Sequence, residues 1–513
     1  MKFERNAGIL LHPTSLPGKY GIGDLGDDAF KFIDFLEKSG QKLWQVFPLG
    51  PTGYGDSPYQ CFSAFAGNPN LISPDKLTEA GLLSASDLQN IPDHNPVSID
   101  YGEIIEYKKS LLKKAFINFK INFQSYEKSY NSFCKENKLW LDDFALFMAA
   151  KEAHGGIVWK DWDSGLVLRQ KKSLDEWTKK LADDIFYQKF VQYEFMKQWT
   201  SVKKYANEKG IKIIGDMPIF IAYDSSDLWA NKELFTVDKE GNLETVAGVP
   251  PDYFSVTGQL WGNPLYRWKE MEKDDFLWMR NRFENLLKLV DIIRIDHFRG
   301  FEAFWEIPGD AETAVNGRWV KAPGHKLFKS IKKHLGDIPI LAEDLGVITP
   351  EVEKLRDDFG FPGMKILQFA FGTDMETKFL PHNFVQNCVV LTGAHDNDTT
   401  RAYFEKAKQD KNGDIYEHLQ KYLNYFGDNV VYELIRSAYA SSANIVVIPM
   451  QDVMNLGGEA RMNFPGKLGG NWMWRFMWSQ IPEDLHLKFY GLAQLYERPL
   501  KPKKTETLET DNE

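Results

Sequence analysis

Eight short, continuously apolar runs, most followed by an amphipathic helical pattern, predict an α/β fold of the (β/α)8 TIM-barrel class for this 513-residue chain. Continuous rather than alternating apolarity suits strands covered on both faces, as in a parallel sheet. A doubly wound sheet is the competing architecture, but no glycine-rich phosphate loop follows the first run to support it.

The runs are AGILL (7–11), KLWQVFPL (42–49), IKIIGDMPIF (211–220), DIIRIDHF (291–298), IPILAEDLG (338–346), MKILQFAFG (364–372), CVVLTGAHD (388–396) and ANIVVIPMQD (443–452). Between them, AFKFIDFLEKSG (29–40) and DDFLWMRNRFENLLKLV (274–290) carry apolar residues at helical spacing. Gly40 and Gly210 stand where helices should stop. The units are uneven. Long helical patterns after the second strand, such as EIIEYKKSLLKKAFINFKINF (103–123), predict a mostly helical insertion over residues 75–185. The pattern at 184–210 then leads back to the third strand. A second insertion, 221–273, is rich in Gly, Pro and aromatics. One barrel unit is expected over 1–500, with 501–513 a charged, frayed tail.

The formal net charge of -10 argues against nucleic acid or an anionic membrane as partner. Cys61, Cys134 and Cys388 are odd in number and widely spaced, unlike a disulfide framework or zinc site. The N-terminal stretch lacks the apolar core of a signal peptide, and no run of ~18 apolar residues occurs, so a cytoplasmic, membrane-free protein is expected. Aromatics make up 14% of the chain. Most must be core, but flat faces also pack against sugar rings, so some could line a sugar-binding groove.

In such barrels, reacting groups sit at the C-terminal ends of the strands. There the sequence places Asp216 on the third strand, Asp296 on the fourth, Glu343 and Asp344 on the fifth, and His395 and Asp396 on the seventh. Gathering like charges at one mouth is unfavourable unless they share protons or a partner. A pair of carboxyls flanking one bond is the apparatus of glycoside cleavage. Arg294, two residues before Asp296, shares its strand face and supplies a fixed counter-charge. A single strand-end Asp is more often structural than catalytic; several on nearby strands reverse that expectation. His297 and His395 beside acids leave a metal site as an alternative, although no His-x-His pair ends the first strand.

RIDHFRGF (294–301), LAEDLG (341–346) and GAHDND (393–398) resemble the three acidic motifs of the 4-α-glucanotransferases of glycoside hydrolase family 77. The resemblance extends to GILLHPTSLPGKYGIGDLG (8–26), WQVFPLGPTGYGDSPYQ (44–60), GDMPIFIA (215–222), GVPPDYFSVTGQLWGNPLY (248–266) and RMNFPG (461–466). It implies a (β/α)8 barrel with inserted subdomains and no separate C-terminal β-domain. It also implies Asp296 as nucleophile, Glu343 as general acid/base and Asp396 as transition-state stabiliser. Asp216, Arg294 and His395 fall on donor-side sugar positions, and Tyr59 on a glucan-contacting aromatic. Residues 248–263 fall on a mobile lid carrying Asp252, Phe254, Gln259 and Trp261; Asn463 joins the substrate-binding set.

The implied reaction moves an α-1,4-glucan segment to the 4-hydroxyl of another glucan or of glucose, with no metal and no cofactor. Two displacements at one carbon retain configuration and need carboxyls about 5–5.5 Å apart. Glu343 must hold a proton near neutral pH, which the charge on Asp296 plus burial would favour. The lid glycines Gly248, Gly258 and Gly262 would permit bending, and exclusion of water would favour transfer. An α-amylase-like hydrolase using the same acids and a non-catalytic glucan-binding module are the rival functions. A monomer or weak homo-oligomer is expected.

Overall fold

A computed structural model describes residues 3–251, 255–371, 377–410, 413–427, 429–467 and 469–499. The eight apolar runs form eight parallel strands: β1 (Asn6–Leu10), β2 (Leu43–Val46), β3 (Lys212–Pro218), β4 (Ile292–Asp296), β5 (Ile340–Ala342), β6 (Gly363–Ile366), β7 (Cys388–Leu391) and β8 (Ile445–Pro449). Each pairs with its sequence neighbour, and β1 closes the ring on β8 with Asn6 opposite Ile445. The strands are buried on both faces because helices wrap the ring, which is why their sequences do not alternate. Gly40 and Gly210 end the helices Asp27–Lys38 and Ala182–Glu208 with left-handed φ of 68° and 77°. The sixth run is strand only as far as Ile366; residues Leu367–Ala370 turn into a 3-10 helix.

Register positions the acids. Asp216 pairs with Arg294 and Pro218 with Asp296 across β3 and β4. Ile295 pairs with Ala342 across β4 and β5, so the next residues, Asp296 and Glu343, emerge side by side. The Glu343 amide donates to the Ile295 carbonyl at 3.0 Å, and the Phe298 amide donates to the Glu343 carbonyl at 3.0 Å.

Between β2 and β3 run the helices Tyr101–Ile121, Phe123–Glu136 and Lys138–Ala153, then Ala182–Glu208, whose end feeds β3. Phe116, Phe119, Tyr130, Tyr187 and Phe190 pack ring against ring where these helices meet. Over the β3–β4 side of the mouth stands a four-stranded antiparallel sheet in the order Gln259–Pro264, Thr245–Val249, Ala303–Pro308, Arg318–Lys321. Its first two strands come from the insertion after β3. The other two come from residues following β4, and sequence patterning did not distinguish them. No helix among the described residues is long and apolar enough to cross a membrane.

Candidate active site

Arg294 is the electrostatic centre of the mouth. Strand alternation turns it to the same side as Asp296 and into the barrel, where it is buried. Its guanidinium donates to Asp216 Oδ2 at 2.6 Å and to Asp296 Oδ1 at 3.1 Å, while its Nε reaches Met364 Sδ. Those two carboxylates hold the Arg294 proton more tightly than usual, against the opposing effect of burial. Asp216 is wholly buried, and burial pushes its carboxyl up despite Arg294. Among the described residues its Oδ1 has no hydrogen-bond partner.

Glu343 lies one residue past β5. Its Oε2 accepts from the His297 amide at 2.7 Å and its Oε1 from the Leu345 amide at 2.9 Å, so backbone from two strands orients the carboxyl. Burial, then the charge of Asp296, raise its pKa from 4.5 to about 7; Arg294 and the two amides pull the other way. Burial leads, whereas the sequence reading put the neighbouring charge first. His297 can offer its amide because its backbone is left-handed, φ 52°, immediately after the strand. Its ring is neutral, with burial lowering its pKa to about 3, and it meets Trp261 edge to face at 4.8 Å. Asp344 points away from the mouth. It accepts from the Met364 amide at 2.7 Å and pairs with Arg356, so alternation sorts the neighbouring acids into one site residue and one structural residue.

On the opposite flank, Tyr59 donates to Asp216 Oδ2 at 2.6 Å and stacks on His395 with centroids 4.7 Å apart. Trp472 lies 5.7 Å from each of Phe47, Tyr59 and His395, making an aromatic wall. Trp472 was not anticipated. In GNWMW it reads like any core tryptophan; its one peculiarity, a left-handed φ of 62°, is invisible in sequence.

Asp396 stands on the loop after β7 and is the most exposed of the acids. Asn463 donates to its Oδ1 at 2.6 Å, and Arg461 donates to its backbone carbonyl at 2.8 Å. Beneath it, buried Asp452 accepts from the hydroxyls of Thr392 and Thr400 and from the Thr400 amide, tying the loop to the end of β8. Arg461 and Asp452 were also missed. Arg461 lies in the RMNFPG motif, but nothing local marks it as the residue that grips the Asp396 backbone.

Gln259 and Trp261 lie on one strand of the antiparallel sheet, with Trp261 Nε1 donating to Gln259 Oε1 at 3.1 Å. Asp252 and Phe254 lie outside the described residues. The glycines of this stretch do different work from simple bending. A Cβ on Gly248 would fall 2.2 Å from the Gln259 carbonyl oxygen, and one on Gly258 would fall 2.4 Å from that of Val249. Both permit the close approach of paired backbone. Only Gly262, with φ 75° and open surroundings, is chosen for conformation alone. Among the described residues, no group of three or more His, Cys, Asp or Glu side chains is arranged to hold a metal ion.

The geometry thus sets Asp296, beside a guanidinium, next to a carboxyl that keeps its proton near neutrality, under an aromatic wall. That pairing suits attack at an anomeric carbon with protonation of the departing oxygen. The family model for glycoside hydrolase family 77, 4-alpha-glucanotransferase, matches residues 11–480. A 4-alpha-glucanotransferase of Synechocystis sp. is 49% identical over 96% of this chain and 98% of its own length. One from Thermus thermophilus is 49% identical over 97% of this chain and 100% of its own. An amylomaltase from Streptococcus agalactiae, solved in complex with acarbose, superposes with a TM-score of 0.93 at 40% identity, covering 97% of this chain and 100% of that one. The amylomaltase from Corynebacterium glutamicum, at 17% identity and a TM-score of 0.73 over 96% of this chain and 75% of that one, shares the fold. With its barrel and nearly its full length matched, the chain belongs to the 4-alpha-glucanotransferase family, glycoside hydrolase family 77.

Proposed function

We propose that this enzyme transfers a segment of an α-1,4-glucan to the 4-hydroxyl of an acceptor glucan or glucose by a retaining double displacement. A carboxylate oxygen of Asp296 attacks the anomeric carbon as the glycosidic bond breaks, and Glu343 gives its proton to the leaving 4-oxygen. A β-linked glucosyl-enzyme forms and the shortened chain departs. Glu343, now ionised, takes the proton of an incoming 4-hydroxyl. That oxygen bonds to the anomeric carbon, the bond to Asp296 breaks, and the α linkage is restored. One glycosidic bond is exchanged for another, so the chemistry calls for no cofactor.

The single observation that carries this reading is the pairing of Asp296 with Glu343 on adjacent strand ends, with the Glu343 pKa lifted to about 7. The free, buried Oδ1 of Asp216 suits a hydroxyl of the sugar held against Tyr59 and His395. Asp396, steadied by Asn463, stabilises the positive charge that develops on that sugar. Asp252, Phe254, Gln259 and Trp261 make the acceptor side in this reading, with 248–263 acting as a lid. Of the two rival functions, hydrolysis lacks support from the family, and a binding module needs no proton-holding acid. We place the enzyme in a reducing cytoplasm, which suits the free thiols of Cys61, Cys134 and Cys388, and expect a monomer or weak homo-oligomer.

Incubation with maltotriose followed by chromatography tests the reaction. Glucose with a ladder of oligosaccharides longer than maltotriose is expected. Glucose and maltose alone would restore the hydrolase reading.

A further inference from the structure

Trp472 stands in a backbone conformation that its residue type resists. Its φ is 62°, in the left-handed region where a Cβ crowds the backbone, and among the described residues it is the one tryptophan there. Gly469 and Gly470, just before it, take φ of 76° and 75° without that cost. Trp44, Trp159, Trp199 and Trp229 are at least as buried and none is left-handed, so packing a large ring does not require this backbone. Such strain persists only where the surroundings impose it. Here they do. The Trp472 amide donates to the Met462 carbonyl at 2.8 Å, and the Trp472 carbonyl accepts from the Tyr101 hydroxyl at 2.9 Å.

The ring and the backbone of Trp472 serve different halves of the site. The residue is 5% exposed, too covered to hold a sugar itself, and its ring packs against Phe47, Tyr59 and His395. Tyr59 is in turn bonded to Asp216. The backbone is bonded to Met462, which lies between Arg461 and Asn463, the two residues that hold Asp396. A second tie joins the same two segments, because the Phe464 amide donates to the Asn471 side-chain oxygen at 2.9 Å. The halves meet where His395 Nε2 lies 3.4 Å from Asp396 Oδ1. With an ordinary φ at Trp472, either the ring or the amide would have to leave its partners.

The other acid of the mouth offers a parallel. His297, also left-handed, presents its amide to Glu343. Asp396 stands on a loop, so no strand fixes it, and a group that must meet developing charge needs fixed geometry from elsewhere.

We propose that Trp472 is a positioning residue for the transfer reaction. Its ring fixes the Tyr59–His395 stack, its left-handed backbone fixes the segment that grips Asp396, and the two are thereby held in register. This rests on the roles proposed above for Asp396 and the donor-side residues. Asp396 acts on charge that develops in the transition state, so lost register falls mainly on kcat.

The test measures kcat and KM on maltotriose for Trp472→Phe in two backgrounds, the unaltered enzyme and Asp396→Asn. In the first, kcat should fall about tenfold with KM changed by less than about threefold. In the second, Trp472→Phe should cost less than about twofold more, because the group it positions is already gone. Asn471→Ala removes the second tie without touching the ring. It should lower kcat about fivefold in the first background and hardly at all in the second, and it decides the matter should Trp472→Phe prove unstable. A tryptophan that only fills the core would lower thermal stability and give the same fold-loss in both backgrounds. Equal losses in both, a loss confined to KM, or no loss from either variant would overturn the positioning role. If Asp396→Asn alone transfers as well as the unaltered enzyme, the charge-stabilising role of Asp396 falls and takes the positioning role with it. If Asp396→Asn is clearly impaired and Trp472→Phe costs the same in both backgrounds, the positioning role falls alone.

Discussion

Two arcs of the barrel mouth hold their acids by different means. On the β3–β5 arc, Asp216, Arg294 and Asp296 lie within strands, and Glu343 follows β5 directly. Their spacing is imposed by the ring itself, and each is buried or tied by charge to the next. On the β7 arc, the strand ends at Leu391 and Asp396 stands on a loop, held by Asn463 and Arg461 from a distant part of the chain. Bond-making groups need invariant geometry, which strands supply. A group that stabilises charge can sit on a more adaptable loop. Losses on the first arc should therefore remove chemistry, and losses on the second should only degrade it.

The sharpest contrast comes from Asp296→Asn. Removing the attacking oxygen should lower transfer by at least about 10⁴-fold with an unchanged circular dichroism spectrum. Glu343→Gln should cost about 10³-fold on maltotriose and far less in the first step on a glucosyl fluoride, whose leaving group needs no proton. Comparable losses on both donors would remove Glu343 from the acid role. In the unaltered enzyme, kcat/KM should decline as pH rises through about 7, because that is where Glu343 loses the proton it must donate. A basic limb centred well below 6 would contradict the burial argument. On the second arc, Asn463→Ala deletes one hydrogen bond to Asp396 and should cost about tenfold. A loss as deep as that of Asp296→Asn would erase the distinction between the arcs. Trp261→Ala should change the overall rate least of all. It should raise the share of intermediates captured by water; an unaltered product ratio would refute water exclusion by this stretch.

The same contrast explains what could be read in the sequence. All eight barrel strands were legible because burial on both faces writes continuous apolar runs, and the acids at their ends stood out as polar interruptions. Strand patterning alone did not separate Glu343 from Asp344, and only the resemblance of LAEDLG singled out Glu343; in the structure Asp344 is taken up by Arg356. The strand Ala303–Pro308 was missed because it pairs with a distant insertion, and Arg318–Lys321 because it is largely exposed and carries no apolar run. Trp472, Arg461 and Asp452 escaped notice for a related reason. Their roles arise from long-range contacts, and their residue types carry no local mark.

The most direct measurement is intact-protein and peptide mass spectrometry of Glu343→Gln after brief exposure to an α-maltosyl fluoride. With the proton donor and acceptor gone, the first displacement should proceed and the second should stall. A maltosyl mass should therefore accumulate on the peptide containing Asp296. A maltosyl adduct on any other residue, or rapid fluoride release with no adduct at all, would contradict a covalent intermediate at Asp296.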